Sequence, residues 1–167
     1  MWLGEFLLPP SFAAMTFNPA AGIFTLESGT QIGPDLTRAA FLATPEGAAA
    51  IVSDDVSYSI FTTDGKMGLV AYFYPPTWPA RPTTPTDLIA KIGFWLMGPE
   101  YPTGWDDFTP EADKREHVAS KRWLTAQGVA LRSIGGDQHE AVYPWGTVGA
   151  YYDFKNGTFY NHLQYKR

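Results

Sequence analysis

The chain has 167 residues, of which 45% are hydrophobic and 16% aromatic, with no cysteine and a formal net charge of −5. This length suits one domain, residues 1–167, with a buried core, and the lack of cysteine excludes a disulfide scaffold, a thiol nucleophile and a Cys-ligated metal. The acidic balance argues against broad binding to nucleic acid or anionic membranes, because both require a basic face.

Residues 1–16 are expected to form an N-terminal arm laid over the core. This stretch is largely apolar, but no basic residue precedes Arg38, whereas a signal peptide begins with one. No run approaches the ~18 apolar residues of a membrane span. The sequence therefore predicts a cytoplasmic protein without a membrane partner, with translation starting at Met1 or at Met15.

A short helix is predicted over about 37–50. Thr37 is a plausible N-cap, and Thr44, Pro45 and Glu46 restart a helical turn with a cap, a proline and an acid in order. The segment 75–85 contains five prolines, which a regular helix or a central strand does not accommodate. We expect this segment to be a Pro-rich surface loop within the single domain.

A long helix is predicted over about 110–127. Thr109 is a typical N-cap, Pro110 suits the first helical position, and Gly128 suits the position beyond the C-cap. Acidic residues at the start of this helix and basic residues further along it also complement the helix dipole. The acid-only stretch comprises Glu100, Asp106, Asp107, Glu111 and Asp113; the bases that follow are Lys114, Arg115, Lys121, Arg122 and Arg132, with Glu116 the only acid among them.

Most of the remaining sequence is typical of β-strands. Asp64 and Gly65 separate two β-prone runs, which is a strong hairpin signal, and Gly157 lies in the loop of a second hairpin. Strands outnumber helices without a βαβ alternation. We therefore predict an α+β fold in which a single antiparallel sheet of five to six strands packs against the long helix.

Catalytic and metal-binding patterns are nearly lacking in the sequence. His117, His139 and His162 are too few and too dispersed to predict a metal site, and solvated or hydrogen-bonded histidines are the simpler interpretation. Asp137, His139 and Glu140 could join a serine in a hydrolytic cluster, but no nucleophile-elbow sequence accompanies them. The sequence thus predicts a protein that is not an enzyme and has no cofactor.

One loop has the composition of a protein-binding surface. Aromatic anchors ringed by charge are typical of hot spots, and acids steer a basic partner toward them. In the alternative interpretation, Trp105 and Phe108 form a hydrophobic staple under the long helix while the acids cap it. The predicted partner-binding residues are Glu100, Tyr101, Trp105, Asp106 and Asp107.

Several segments occur in a consistent order along the chain: Phe17–Phe24, Leu36–Leu42, Trp105–Thr109 leading into the basic helix, Tyr143–Val148 and Tyr152–Gly157. Together they resemble small bacterial immunity-type proteins associated with polymorphic toxins, such as those of type VI secretion. The resemblance implies a protein that binds a cognate toxin and occludes its active site without turnover.

Two other classes remain open. An adaptor or chaperone for a secreted effector would also be small, acidic and noncatalytic. A small-ligand-binding α+β protein would line its pocket with the aromatic side chains near Trp95, Trp145, Tyr151 and Tyr152, although core packing is the more common role for such residues.

Overall fold

A computed structural model describes residues 15–53, 56–73, 82–102 and 104–167. Its helices are α1 (Arg38–Leu42), α2 (Pro45–Ala49) and α3 (Pro110–Ala126). Its strands are β1 (Thr16–Asn18), β2 (Ile23–Thr25), β3 (Gln31–Ile32), β4 (Ile51–Ser53), β5 (Ser57–Phe61), β6 (Met67–Tyr72), β7 (Lys91–Leu96), β8 (Arg132–Gly135), β9 (Gln138–Tyr143), β10 (Gly146–Asp153) and β11 (Thr158–Tyr165).

The strands form two antiparallel sheets, so the predicted α+β fold with a single sheet of five to six strands is wrong. The small sheet has the order β1-β2-β3, and the large sheet has eight strands in the order β4-β5-β6-β7-β11-β10-β9-β8. The described residues are therefore mostly β. The sequence gives no strand prediction for β1, β3, β4, β8 or most of β9; of these, β1, β3 and β4 contain only two or three residues, which is too few to display an alternating pattern.

The helix α3 begins and ends where its local signals place it. The Thr109 side chain accepts a hydrogen bond from Ala112 N at 3.1 Å, and Pro110 occupies the first turn. Beyond the C-cap Gln127, Gly128 takes φ +89°, which favours glycine. The predicted short helix over 37–50 is instead two helices, because Thr44 caps a new one at Pro45.

The core lies between one face of the large sheet and a layer made by α3 and the small sheet. Phe24 of β2 stacks on Trp123 of α3 with ring centroids 6.1 Å apart, and Phe94 of β7 packs against both rings. The hydroxyl of Tyr165 on β11 donates to Gly22 O at 2.7 Å. These contacts hold the small sheet against the large one.

Two predicted segments fall largely outside the described residues. Of the predicted arm 1–16, only Met15, which is buried, and Thr16, which begins β1, are described. Of the predicted Pro-rich loop 75–85, only residues 82–85 are described. Within the described part of the chain, no helix is both long and apolar enough to span a membrane.

Candidate functional site: a groove where two strands separate

The neighbouring strands β7 and β11 separate near the start of α3. They pair only where Lys91–Phe94 faces Asn161–Gln164, and each strand continues beyond the last pair. The backbone N–H groups of Leu96 and Phe159 lie in the diverging parts of the two strands. Both groups donate to carboxylates of α3 rather than to the opposite strand.

Glu116 is the central acceptor at this separation. Its side chain is 6% exposed and accepts hydrogen bonds from Leu96 N at 2.9 Å and from the Ser120 hydroxyl at 2.5 Å. Asn161 Nδ2 donates to the same carboxylate oxygen at 3.1 Å. Burial raises the pKa of Glu116, while the bonds from Ser120 and Leu96 act in the opposite direction.

Asp113 lies one turn earlier on the same helix face and likewise accepts a hydrogen bond from the backbone of a diverging strand. Its Oδ2 accepts a hydrogen bond from Phe159 N at 2.8 Å, and burial raises the pKa of this carboxyl group. Neither Asp113 nor Glu116 was among the predicted site residues. The available signal was Glu116 itself, as the only acid among the bases of the long helix.

The separation opens a groove of about 580 Å³, a volume within the usual range of ligand pockets. Its walls are largely aromatic, and its polar lining includes the two carboxylates and Asn161. The loop between β7 and α3 borders the groove through Pro102, Gly104, Trp105 and Phe108. A rim of this kind resembles a protein-binding surface, with an aromatic side chain beside a recess.

Trp105 is the most exposed large hydrophobic side chain among the described residues, at 79%. Its ring lies against Phe108, with centroids 5.7 Å apart. The alternative prediction of a hydrophobic staple fails, because the fourth helical position is Asp113, whose carboxylate is bonded to Phe159 N. Trp105 is therefore displayed to solvent rather than packed under the helix.

The two predicted aspartates differ in their surroundings, although both are exposed. Asp107 accepts a hydrogen bond from Gly104 N at 2.8 Å and so closes the turn that carries Trp105. The N-cap of α3 is Thr109, so capping by Asp106 or Asp107 is not needed there. Asp106 makes no hydrogen bond or ion pair with the residues that the structure describes, and its carboxylate faces solvent.

Glu100 and Tyr101 border a different recess from Trp105. They lie against the outer face of α3 in a depression of about 500 Å³ that also contains Arg115 and Arg122. Arg115 Nε donates to Glu100 O at 3.2 Å, which fixes the start of the loop to the helix. Tyr101 is half-buried, and its pKa is raised first by burial and then by the charge of Glu100. The five predicted residues thus share one loop but not one recess.

The histidines are placed in ways that do not form a catalytic centre. His117 is 1% exposed and stacks on Phe159 with centroids 4.1 Å apart; neither ring nitrogen finds a hydrogen-bond partner among the described residues. Burial lowers its pKa to about 4, so the ring is neutral at pH 7. His139 lies 6.1 Å from His117 between ring centroids. Within the described ranges, no three His, Asp or Glu residues could hold a metal ion.

The aromatic residues considered for a ligand pocket are dispersed. Trp95 borders the groove, but Trp145 stacks on Tyr143 and donates its indole N–H to Pro19 O at 2.7 Å. Tyr151 stacks on His162, on the side of the large sheet away from α3. Only Trp95 of this set therefore borders the groove.

Comparisons with known proteins bear on the fold. No protein-family model matches the sequence, and no curated protein matches it significantly. The structure is similar to a chain in the solved structure of Rhs1-CT in complex with its cognate immunity protein RhsI1. The TM-score is 0.55 at 16% sequence identity, over 91% of this chain and 87% of that chain. At this identity the likeness shows a shared fold.

Proposed function

We propose that this chain is a cytoplasmic immunity protein that binds a cognate bacterial toxin and occludes its active site. The observation that carries the proposal is Trp105, a large aromatic side chain 79% exposed beside a groove, on a loop closed by Asp107. Tryptophan is enriched among residues that dominate binding energy. Exposure of its apolar ring to water is unfavourable, and a partner that covers the ring removes this exposure. The similarity to a toxin–immunity complex supports the same role.

The charges of the loop favour a basic toxin surface. Glu100, Asp106 and Asp107 are exposed around Trp105 and Tyr101, and the whole chain carries a formal charge of −5. Opposite charge raises the rate of encounter and sets the register of the complex, while the buried aromatic anchor slows dissociation. A toxin of polymorphic or type VI secretion systems with a cationic active-site cleft would meet both conditions.

Co-expression with the product of the adjacent upstream gene tests the proposal. Growth rescue together with a stable 1:1 complex is the expected result. An upstream product that is harmless and forms no complex would contradict the immunity role. A stable complex in which the toxin keeps its activity would indicate an adaptor or chaperone instead.

A further inference from the structure

Two side-chain oxygens in the lining of the groove accept no hydrogen bond from the residues that the structure describes. Asp113 uses Oδ2 for Phe159 N, and its Oδ1 bonds to none of the residues that the structure describes. Asn161 is 4% exposed and directs Nδ2 toward Glu116 and Ser120, while its Oδ1 has no hydrogen-bond partner in the described part of the chain. A buried oxygen without a donor is energetically unfavourable. The site therefore favours a ligand rich in N–H donors.

Charge and ring faces narrow the choice of ligand. Asp113 and Glu116 both line the groove and are three positions apart on one helix, which places their Cβ atoms roughly 5–6 Å apart. The lining also includes the aromatic rings of Trp105, Phe108 and Phe159, and aromatic rings attract cations. Both features favour a positively charged ligand over a neutral amide or alcohol.

Lys91, the one lysine or arginine among the described residues of the lining, does not fill this site. Lys91 lies at the other end of β7 from Leu96, roughly 16 Å away at the usual rise of a strand. Its ammonium group sits over the Tyr72 ring, 5.6 Å from the centroid. The acidic end of the groove is thus left without a cation from this chain's described lining.

We infer that the groove receives a guanidinium group, supplied by an arginine side chain of the cognate toxin, between Asp113 and Glu116 and beside Trp105. This inference rests on the proposed function and names the chemistry of the toxin residue that meets the groove. Guanidinium fits better than ammonium because its planar set of five donors can serve several acceptors while its face stacks on an aromatic ring. Arginine is also enriched among hot-spot residues.

The first test uses the full chain without toxin. We would titrate the ¹⁵N-labelled protein with N-acetyl-arginine amide and record the backbone amide signals of Leu96 and Phe159. The control ligand is N-acetyl-citrulline amide, which has the same shape but no charge. Saturable shifts with the arginine probe alone are expected; equal shifts with both probes, or no shift with either, would overturn the inference.

A matched pair of variants assigns the site. Asp113→Asn removes a charge but keeps an oxygen that accepts from Phe159 N, so the fold is retained. Glu111→Gln removes the same charge from an exposed residue of the first helical turn outside the groove lining. Asp113→Asn should weaken the response to the arginine probe at least tenfold, and Glu111→Gln should leave it unchanged. The same response in both variants would rule out the groove.

The second test uses the toxin and separates the two proposals. Asp113→Asn should lower toxin affinity at least tenfold, and one arginine-to-alanine change in the toxin should produce no further loss in that variant. If every arginine-to-alanine change in the toxin lowered the affinity for Asp113→Asn as much as it lowered the affinity for the unchanged chain, the inference would be contradicted. The immunity role would remain intact. Conversely, failure to form a toxin complex would contradict the proposed function, whereas the probe titration would still decide whether the groove binds guanidinium.

Discussion

The carboxylate of Glu116 accepts a hydrogen bond from the backbone N–H of Leu96 at 2.9 Å, at the point where β7 leaves β11. A sheet that opens in its interior exposes N–H groups that must find other partners. Here α3 supplies them, through Glu116 for β7 and Asp113 for β11. The groove bordered by Trp105 is therefore built by the helix as much as by the sheet.

Replacement of Glu116 by alanine should destabilise the fold by about 3–5 kcal/mol. The change leaves the donors of Leu96, Ser120 and Asn161 without their shared acceptor in a buried site. Urea unfolding of Glu116→Ala and Glu116→Gln measures the effect. The glutamine variant keeps an acceptor oxygen and should lose much less stability; equal losses would show that the acceptor is unimportant.

Trp105→Ala should weaken toxin binding by at least ~30-fold, equivalent to about 2 kcal/mol, because the side chain is the exposed anchor of the loop. The thermal midpoint should hardly change, since the ring is not part of the core. Phe154→Ala is the matched control, because Phe154 is 75% exposed in the turn between β10 and β11. Isothermal titration that gave the two variants equal affinity would remove Trp105 from the interface.

Reversal of Asp106 and Asp107 to lysine should lower toxin affinity at physiological salt while leaving the thermal midpoint nearly unchanged. The effect should appear mainly in the association rate and should shrink at high salt, since both side chains are exposed. The single change Asp106→Lys avoids disturbing the Gly104 turn that Asp107 closes. The control combines Asp35→Lys with Asp137→Lys, which changes the net charge as much as the double reversal does but lies outside the loop. Stopped-flow measurements should show a normal association rate for this control. An undiminished association rate of the Asp106→Lys variant would exclude electrostatic steering by the loop.

Acid should destabilise the protein through His117. Its pKa is lowered to about 4 by burial, against an ordinary value of 6.5, so between these limits the unfolded chain binds a proton that the folded chain does not. Stability from this group is thus complete above pH 6.5 and falls as the pH drops toward 4, at up to about 1.4 kcal/mol per pH unit.

The variant His117→Phe isolates this contribution. It keeps a ring against Phe159. Between pH 6 and 4.5, the dependence of the unfolding free energy on pH should then correspond to the uptake of about one proton fewer on unfolding. Asp113 and Glu116, whose pKa values are raised, act with the opposite sign, but they are common to both proteins and cancel in the comparison. Parallel urea series with identical slopes would show that His117 does not titrate in this range.

Local signals in the sequence predicted the elements that depend on neighbouring residues. Thr109 with Pro110 defines the start of α3, and Asp64 with Gly65 defines the turn between β5 and β6, where Gly65 takes φ +68°. Strand β9, by contrast, begins with polar residues from Gln138, and it belongs to the large sheet because it pairs with β10. Such non-local pairing leaves no local pattern.

The candidate site was predictable only in part for the same reason. The exposed aromatic and acidic residues around Trp105 were recognisable from their composition. The role of Glu116 depends on the separation of β7 from β11, which are far apart in the sequence. Asn161 sits in an ordinary-looking strand, and only the packed structure shows its unpartnered oxygen.

Titration of the purified toxin with this chain tests occlusion of the active site most directly. Toxin activity should fall linearly to zero at one equivalent, and saturating substrate should slow formation of the complex because both compete for one cleft. A saturated 1:1 complex that retained full toxin activity would contradict the account.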